Sequence, residues 1–339
     1  MRLLSTLLVC LFALLLNGCA RDRLRPETLR CAVAANQDKA LWYMANAAHI
    51  ASGSLIFTKI EDGQTLMDVW RDCGGARKPA VRLQVSNAIY LSVSASGRYA
   101  VAGGSATGVE IVNLESGKSI AHDREGHGPG IFSPDERFVL FATRGAGLQV
   151  FALDDERIRQ ITNYRAIDSV YAIAANAPFT RLAVSDAYGK VQLFEIRMTA
   201  NGLELLNPRT IDDGNREWVS GFAFSATSDE LYAVNRDGHL HVWDTRTGAR
   251  KSSWKTHLNW VSSVTFIRDT KRAVVFGTRE PSGMADPAGV VIDTRTGRTR
   301  TLQTNQNYLW GAYAPRSDEL FITGFWVLPR IEKDISVIP

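Results

Sequence analysis

Two histidines come closest to the spacing of a metal site in this sequence. His239 and His241 are two residues apart on a predicted strand, so their side chains point to the same side. They share that side with Trp243, which is predicted to face a neighbouring sheet, and the spacing suggests no third ligand. We therefore predict no metal here and no other cofactor.

Sequence motifs of catalysis are absent from the 339 residues. There is no Gly-x-Ser-x-Gly elbow, no cysteine pair at zinc spacing, no phosphate-binding glycine loop and no repeated series of calcium ligands. Asp154-Asp155 and Asp212-Asp213 are typical of turns. These observations favour a binding protein over an enzyme, although an enzyme could still assemble its ligands around a central channel.

The charge is small for this length and mixed in sign. The formal net charge is +4, with acidic and basic residues interspersed along the chain. This distribution indicates neither a nucleic-acid-binding stripe nor a polybasic membrane segment. We expect no nucleic acid among the partners.

The N-terminus is typical of a secretory signal. A single cation, Arg2, precedes an apolar run to Leu16 that is too short to span a bilayer comfortably as a mature helix. The run ends in Leu16-Asn17-Gly18-Cys19, which resembles the bacterial lipoprotein signal. The alternative is an ordinary cleaved signal with an incidental cysteine.

The lipoprotein resemblance implies a modified N-terminus and a location. Residues 1–18 would be removed, Cys19 would carry lipid, and residues 19–23 would form a short tether. Several acyl chains would make the attachment effectively permanent. Because Ala20 is not the aspartate that retains such proteins at the inner membrane, the resemblance implies the outer membrane, facing the periplasm.

Two cysteines then remain in the mature chain, since Cys10 leaves with the signal. Cys31 and Cys73 form an even remainder in an oxidising compartment, which predicts one disulfide. Cys31 is predicted to begin an inner strand and Cys73 to follow an outer strand. Two buried free thiols are the alternative.

The elements that would position these residues follow a repeat. Asp244-Thr-Arg-Thr-Gly248 returns unchanged as Asp293-Thr-Arg-Thr-Gly297. Asp opens such a turn by accepting backbone N–H groups, and Gly takes the positive φ that closes it. Aligned on the residue that opens the second strand, seven units occur at spacings of 39 to 59 residues: Lys39, Arg98, Arg137, Arg181, Glu230, Arg272 and Glu319.

The unit resembles the WD40 repeat. Trp243-Asp244 closes a strand, and Gly126-His127 stands before another unit, as in that family. Ala233 replaces the family's hydroxyl residue, and Ile292 occupies the Trp position of the next unit. The resemblance implies an all-β, seven-bladed β-propeller over residues 24–339.

The last unit lacks a fourth strand in this alignment. Its predicted third strand, residues 334–338, ends the chain. An exposed blade edge is a liability, and residues 24–30 stand before the first predicted inner strand at 31–36. WD40 rings close with an N-terminal strand, so the resemblance implies that residues 24–30 complete the last blade.

The resemblance also places several aromatic residues and long loops at one end of the ring, the upper end. The loops are residues 279–288 and 325–334, and the candidate protein-binding residues are Trp218, Trp260, Arg279, Met284, Tyr308, Trp326 and Arg330. Trp, Tyr, Met and Arg are enriched at interface hot spots. The alternative is that a Trp before an inner strand packs over the blade below.

The sequence therefore predicts a non-enzymatic envelope lipoprotein that binds protein partners. The alternative is a periplasmic propeller hydrolase or lyase with a metal in its central channel.

Overall fold

The computed structural model describes twenty stretches of the chain. They are residues 28, 30–33, 48–51, 54–61, 64–71, 79–85, 90–104, 108–124, 126–143, 147–154, 157–164, 170–199, 202–211, 217–267, 270–281, 286–302, 304, 309–314, 318–324 and 327–335. Residues 1–27, which include Cys19, lie outside these stretches, and so does Cys73. No helix among the described residues is long and apolar enough to cross a bilayer.

The described strands form seven antiparallel sheets, which we call blades. The first four blades contain β1 (Ala48–Ala51), β2 (Ser54–Glu61), β3 (Gln64–Trp70) and β4 (Val81–Gln84); β5 (Tyr90–Val93), β6 (Tyr99–Gly104), β7 (Gly108–Asn113) and β8 (Lys118–Asp123); β9 (Gly126–Phe132), β10 (Phe138–Thr143), β11 (Gly147–Asp154) and β12 (Arg157–Tyr164); and β13 (Ala172–Ala175), β14 (Arg181–Ser185), β15 (Val191–Met198) and β16 (Leu203–Ile211).

The last three blades follow the same plan. They contain β17 (Val219–Phe224), β18 (Glu230–Asn235), β19 (His239–Asp244) and β20 (Arg250–Lys255); β21 (Trp260–Ile267), β22 (Arg272–Thr278), β23 (Pro287–Asp293) and β24 (Thr299–Leu302); and β25 (Leu309–Ala314), β26 (Glu319–Gly324) and β27 (Val327–Glu332).

The seven blades close into a ring. The first strand of every blade contacts the first strand of the next blade, and β25 of the seventh contacts β1 of the first. Each blade therefore presents its first strand to the centre and its last strand to the periphery. The predicted all-β, seven-bladed propeller is confirmed.

The core lies between the blades. Among the described residues, the buried apolar side chains form seven clusters, one in each interface between neighbouring blades. Both faces of the middle strands are buried for this reason, as in β6, β7 and β10. Such strands read as continuous apolar runs because neither face meets water.

One turn recurs at the lower end of the ring, where the first strand of a blade connects to the second. In six blades a residue with positive φ stands one or two positions before the second strand: Gly97, Glu136, Phe179, Ser228, Thr270 and Asp318. In three of these turns a serine hydroxyl also accepts the N–H that opens the strand: Ser94 accepts from Tyr99, Ser133 from Phe138 and Ser225 from Glu230. The turn thus sets the register of each hairpin.

Blade one departs from the predicted alignment. Residues 54–61 form its second strand, not its third, and its first strand is Ala48–Ala51. Residues 28 and 30–33, which we call the N-terminal helical segment, are helical, so an inner strand at 31–36 is wrong. With the second strand opening at Ser54 instead of Lys39, the irregular spacing of 59 residues before Arg98 becomes 44.

Blade seven also differs in its third strand. That strand is Val327–Glu332, and Asp334 and Ile335 lie beyond its lower end, so the predicted strand at 334–338 is wrong. The seventh sheet has three described strands. A fourth strand supplied by residues 24–30 is not confirmed, because Thr28 and Arg30 are helical.

The N-terminal helical segment instead packs into the seam between blades one and seven. Ala32 shares a buried cluster with Phe57 and Trp70 of blade one and with Phe321 of blade seven. The Thr28 hydroxyl donates to the Arg71 carbonyl (3.1 Å). This segment joins the two ends of the ring at its lower end, because Arg71 directly follows the third strand of blade one.

A carboxylate at the lower end of blade five gives a pH-dependent contribution to stability. A hydrogen bond from Lys251, followed in importance by one from Tyr232, lowers the pKa of Glu230 below its ordinary value of 4.5. A lowered carboxyl pKa stabilises the fold above the unfolded-state pKa, and the contribution is lost as the pH falls through the folded-state pKa.

We therefore expect Glu230→Gln to lower the melting temperature slightly above pH 5 and to match the wild type in stronger acid. The effect should stay below about 1 kcal/mol, because the pair is partly exposed. Thermal melts at pH values above and below 5 measure the difference in melting temperature between Glu230→Gln and the wild type. Tyr232→Phe, which removes one of the two hydrogen-bond donors, should show a smaller difference. A difference that widens in acid would contradict the assignment.

Candidate functional site

The upper face of the ring, where the first strands begin, carries a stack of aromatic and cationic side chains. We call Tyr171, Trp218, Arg236 and Trp260 the upper cluster. Tyr171 and Trp218 immediately precede the first strands of blades four and five, Trp260 begins that of blade six, and Arg236 follows the second strand of blade five. The cluster therefore spans three consecutive blades.

Arg236 lies between the two tryptophans. Its guanidinium carbon is 4.2 Å from the ring centroid of Trp218 and 3.2 Å from that of Trp260. Tyr171 extends the stack, with its ring centroid 4.9 Å from that of Trp218. Each cation–π contact contributes about 0.5–1 kcal/mol at an exposed site, so the two contacts together favour this arrangement of the indoles.

Backbone hydrogen bonds fix Arg236 from both sides. Its N–H donates to the Trp218 carbonyl (2.7 Å), and its own carbonyl accepts from Val261 N–H (2.7 Å). The first bond lies within blade five and the second reaches blade six. The stack is therefore part of the contact between two blades, and its geometry depends on the ring.

Two glycine turns allow the upper loops to pack this closely. Gly238 has φ of +82°, and a Cβ placed there would lie 2.0 Å from the Leu258 carbonyl oxygen. Gly189 has φ of +77°, and a Cβ there would lie 2.4 Å from the Glu217 carbonyl oxygen. Both turns press against the segment that precedes a tryptophan of the cluster, so only glycine fits.

The cluster continues into an exposed aromatic surface. Tyr188 is 71% exposed and Trp218 is 38% exposed, and they are the most exposed large apolar side chains of the described residues. Tyr188 lies in the turn that packs against Glu217, next to Trp218. Exposed aromatics that gather at one place mark an interaction surface more strongly than scattered ones do.

Another tyrosine lies near the cluster on the first strand of blade two. Burial, and to a smaller extent the neighbouring Tyr171 phenol, raise the pKa of Tyr90 to about 12. Tyr90 is therefore neutral at physiological pH. The upper end of the first strands thus presents tyrosines and tryptophans in blades two, four, five and six.

Trp218 and Trp260, both predicted to bind a partner, are brought together by Arg236. Arg279 lies in the upper loop of blade six, as predicted, and its guanidinium pairs with Asp286 of the same loop (3.1 Å). Arg279 is therefore held by its own loop and is not stacked with the cluster.

The other predicted binding residues have different outcomes. Arg330 lies within β27, so its placement in a long upper loop of residues 325–334 is wrong. The alignment failed there because the third strand of blade seven was expected after residue 333. Met284, Tyr308 and Trp326 lie outside the described residues.

The two histidines of blade five stack on each other. Their ring centroids are 5.8 Å apart, and His239 Nδ1 is 2.8 Å from Asp237 Oδ2. No group of three candidate metal ligands occurs among the residues that the structure describes. His241 in turn stacks on Trp243, with 5.5 Å between their centroids.

Blade five has Ala233 where the WD40 resemblance leads us to expect a hydroxyl residue near Trp243. The Trp243 indole Nε1 is buried without a hydrogen-bond partner among the described residues. Ala233, which pairs across the sheet with His241, has no hydroxyl to offer. Blade five therefore relies on the packing of Trp243 and not on its polar edge.

Comparison with known proteins agrees with this architecture. No protein-family model matches the chain, and no curated protein matches it. A solved structure that it resembles is the β-propeller domain of Cps50 (Swd1) from Myceliophteria thermophila, at 13% identity and a TM-score of 0.62, covering 81% of this chain and 92% of that one. The fold is that of a WD40-like propeller. At this identity the likeness shows the propeller fold alone.

Sequence reasoning missed Arg236 and Tyr171. Tyr171 could have been found, because it occupies the same position before a first strand as Trp218 does. Arg236 gave no comparable signal, since its contact with Trp260 joins loops of different blades. Arg236 and Trp260 come together only when the blades have closed into the ring.

Proposed function

We propose that the propeller is a protein-binding module and that the upper cluster, with Tyr188, is its recognition surface. The stacking of Arg236 between Trp218 and Trp260 is the observation that carries the proposal. Rigid aromatic side chains lose little conformational entropy on binding, and Trp, Tyr and Arg dominate interface energetics. A WD40-like fold is compatible with this role.

We also propose the cellular setting that the sequence predicts. The chain is an envelope lipoprotein, lipidated at Cys19 and facing the periplasm from the outer membrane. Cys31 and Cys73 form its disulfide. The hydrogen bond between Thr28 and Arg71 supports the pairing. Thr28 is three residues before Cys31 and Arg71 is two residues before Cys73, so this bond holds the two segments close together. Peptide mapping without reduction checks the disulfide.

The recognition surface is tested by replacing Trp218 and Trp260 with alanine together. We expect partner capture from native envelopes to fall at least about thirtyfold, since each hot-spot tryptophan contributes about 2 kcal/mol or more and neighbouring losses are not additive. Adding Trp326→Ala tests whether the surface extends to that residue.

The matched control is Trp254→Ala. Trp254 lies on the fourth strand of blade five, and its indole donates to the Thr294 carbonyl (3.2 Å). It is therefore a tryptophan of the same blade outside the upper cluster. Circular dichroism confirms that both variants fold, and equal partner capture by the double variant and the wild type would refute the proposal.

A further inference from the structure

The first described residues of the chain lie at the lower end of the propeller. Thr28 is bonded to Arg71, and Arg30 Nη2 lies 3.9 Å from Glu319 Oε1 at the start of β26. Both partners are at the lower end of their blades. The upper cluster is at the opposite end of the ring.

The length of chain before Thr28 limits how far the propeller can stand from a lipid on Cys19. Eight residues lie between Cys19 and Thr28 in the sequence. Fully extended, such a segment spans at most about 30 Å. The tether keeps the propeller at the bilayer but leaves its orientation open, so the charge of its surface decides which side faces the lipid.

Two identical turns of blades five and six present arginines at the lower end. In the first, Asp244 Oδ1 accepts the N–H groups of Arg246 (2.9 Å) and Thr247 (2.7 Å). In the second, Asp293 Oδ1 accepts those of Arg295 (3.1 Å) and Thr296 (2.8 Å). The carboxylates are directed into the turns, whereas the Arg246 and Arg295 side chains are exposed.

More cations extend this edge, which we call the basic lower edge. Arg250 and Arg298 follow the two turns and are also exposed. Ion pairs also occur at this end in blades two, three and five, where Arg98 pairs with Glu115, Arg137 with Asp135 and Lys251 with Glu230. The four arginines are dispersed in the sequence, so a linear reading shows no polybasic segment.

We propose that the basic lower edge, formed by Arg246, Arg250, Arg295 and Arg298, lies against anionic phospholipid headgroups and turns the upper cluster away from the membrane. The inference rests on the proposed lipid anchor. Basic side chains are attracted to anionic bilayers only within about a Debye length, roughly 8–10 Å at physiological salt. The short tether holds the propeller where this attraction acts.

The test uses the full lipidated protein in vesicles of phosphatidylcholine, with or without phosphatidylglycerol. Hydrogen exchange of the turns at 244–250 and 293–298 is expected to slow about five- to tenfold in anionic vesicles and to recover in high salt, as electrostatic contact requires. Arg246→Glu with Arg295→Glu should abolish the slowing. The upper turn at 186–190 is the internal control.

The outcomes separate this inference from the proposed function. Equal exchange in both vesicle types, or protection of residues 186–190 instead, would overturn the orientation. Protection that needs another envelope protein but no anionic lipid would also overturn it. Mass spectrometry of the N-terminal peptide tests the lipid on Cys19 separately, and the double charge reversal should leave partner capture through Trp218 and Trp260 unchanged.

Discussion

Replacing Phe321 with alanine is expected to lower the free energy of unfolding by about 3–5 kcal/mol, as truncation of a fully buried phenylalanine does. Phe321 is 0% exposed, and its ring centroid lies 5.4 Å from that of Phe57 in blade one. The two rings meet at the seam, together with Ala32 of the N-terminal helical segment. The cavity would therefore open at the joint between the ends of the ring.

Phe141→Ala is the matched control for the seam. Phe141 is also 0% exposed, but it packs between blades two and three, against Phe151 at 4.7 Å. Chemical denaturation should show similar losses for both variants. Only Phe321→Ala should also speed hydrogen exchange of residues 30–33, and equal exchange there in both variants would show that the segment does not depend on the seam.

Gly238→Ala should both destabilise the propeller and disturb the upper cluster. Its cost has two parts: about 1–2 kcal/mol for a side chain at positive φ, and about 1–3 kcal/mol more for the overlap with backbone. The overlap is with the Leu258 carbonyl oxygen, 2.0 Å from the added Cβ. Because Gly238 closes the turn that contains Arg236, relief of the overlap should move Arg236 from between the tryptophans.

Gly248→Ala separates the two parts of this cost. Gly248 has φ of +76°, but the nearest atom to an added Cβ is 3.8 Å away, so only the backbone strain applies. Urea denaturation should place Gly248→Ala between the wild type and Gly238→Ala. Partner capture should fall for Gly238→Ala alone, and an equal fall in both variants would separate binding from the geometry of the Arg236 turn.

The sequence predicted blades two to six well because each contains both strand alternation and a recognisable turn. The second strands open within one residue of Arg98, Arg137, Arg181, Glu230 and Arg272, as aligned. Turn chemistry sets these positions locally, so no distant contact is needed to find them.

The first strand of blade one was predicted at the wrong residues, because the apolar run at 31–36 was preferred over a stronger hairpin signal. Residues 31–36 are short and apolar, and periodicity does not separate a short strand from a helix in such a run. Asp62-Gly63 is a strong two-residue hairpin signal, and Glu61 indeed pairs with Gln64 across it. Giving that turn priority would have placed the second strand correctly.

The candidate site was predicted only in part for a different reason. Trp218 and Trp260 share a position relative to their strands, which a repeat alignment detects. Their joint contact with Arg236 depends on the spacing of neighbouring blades, and that spacing follows from closing the ring with seven sheets. Contacts between loops of different repeats therefore require the assembled fold.

The recurring lower turn shows where the resemblance among the repeats resides. Glycine, glutamate, phenylalanine, serine, threonine and aspartate occupy its positive-φ position in six blades, and the backbone bends in the same way each time. Sequence comparison of the repeats finds little identity at this position, whereas superposition of their main chains aligns the turns of all six blades. A relative of this protein would therefore be sought by comparison of backbone structures, because the residues of this turn can change while its backbone conformation is kept.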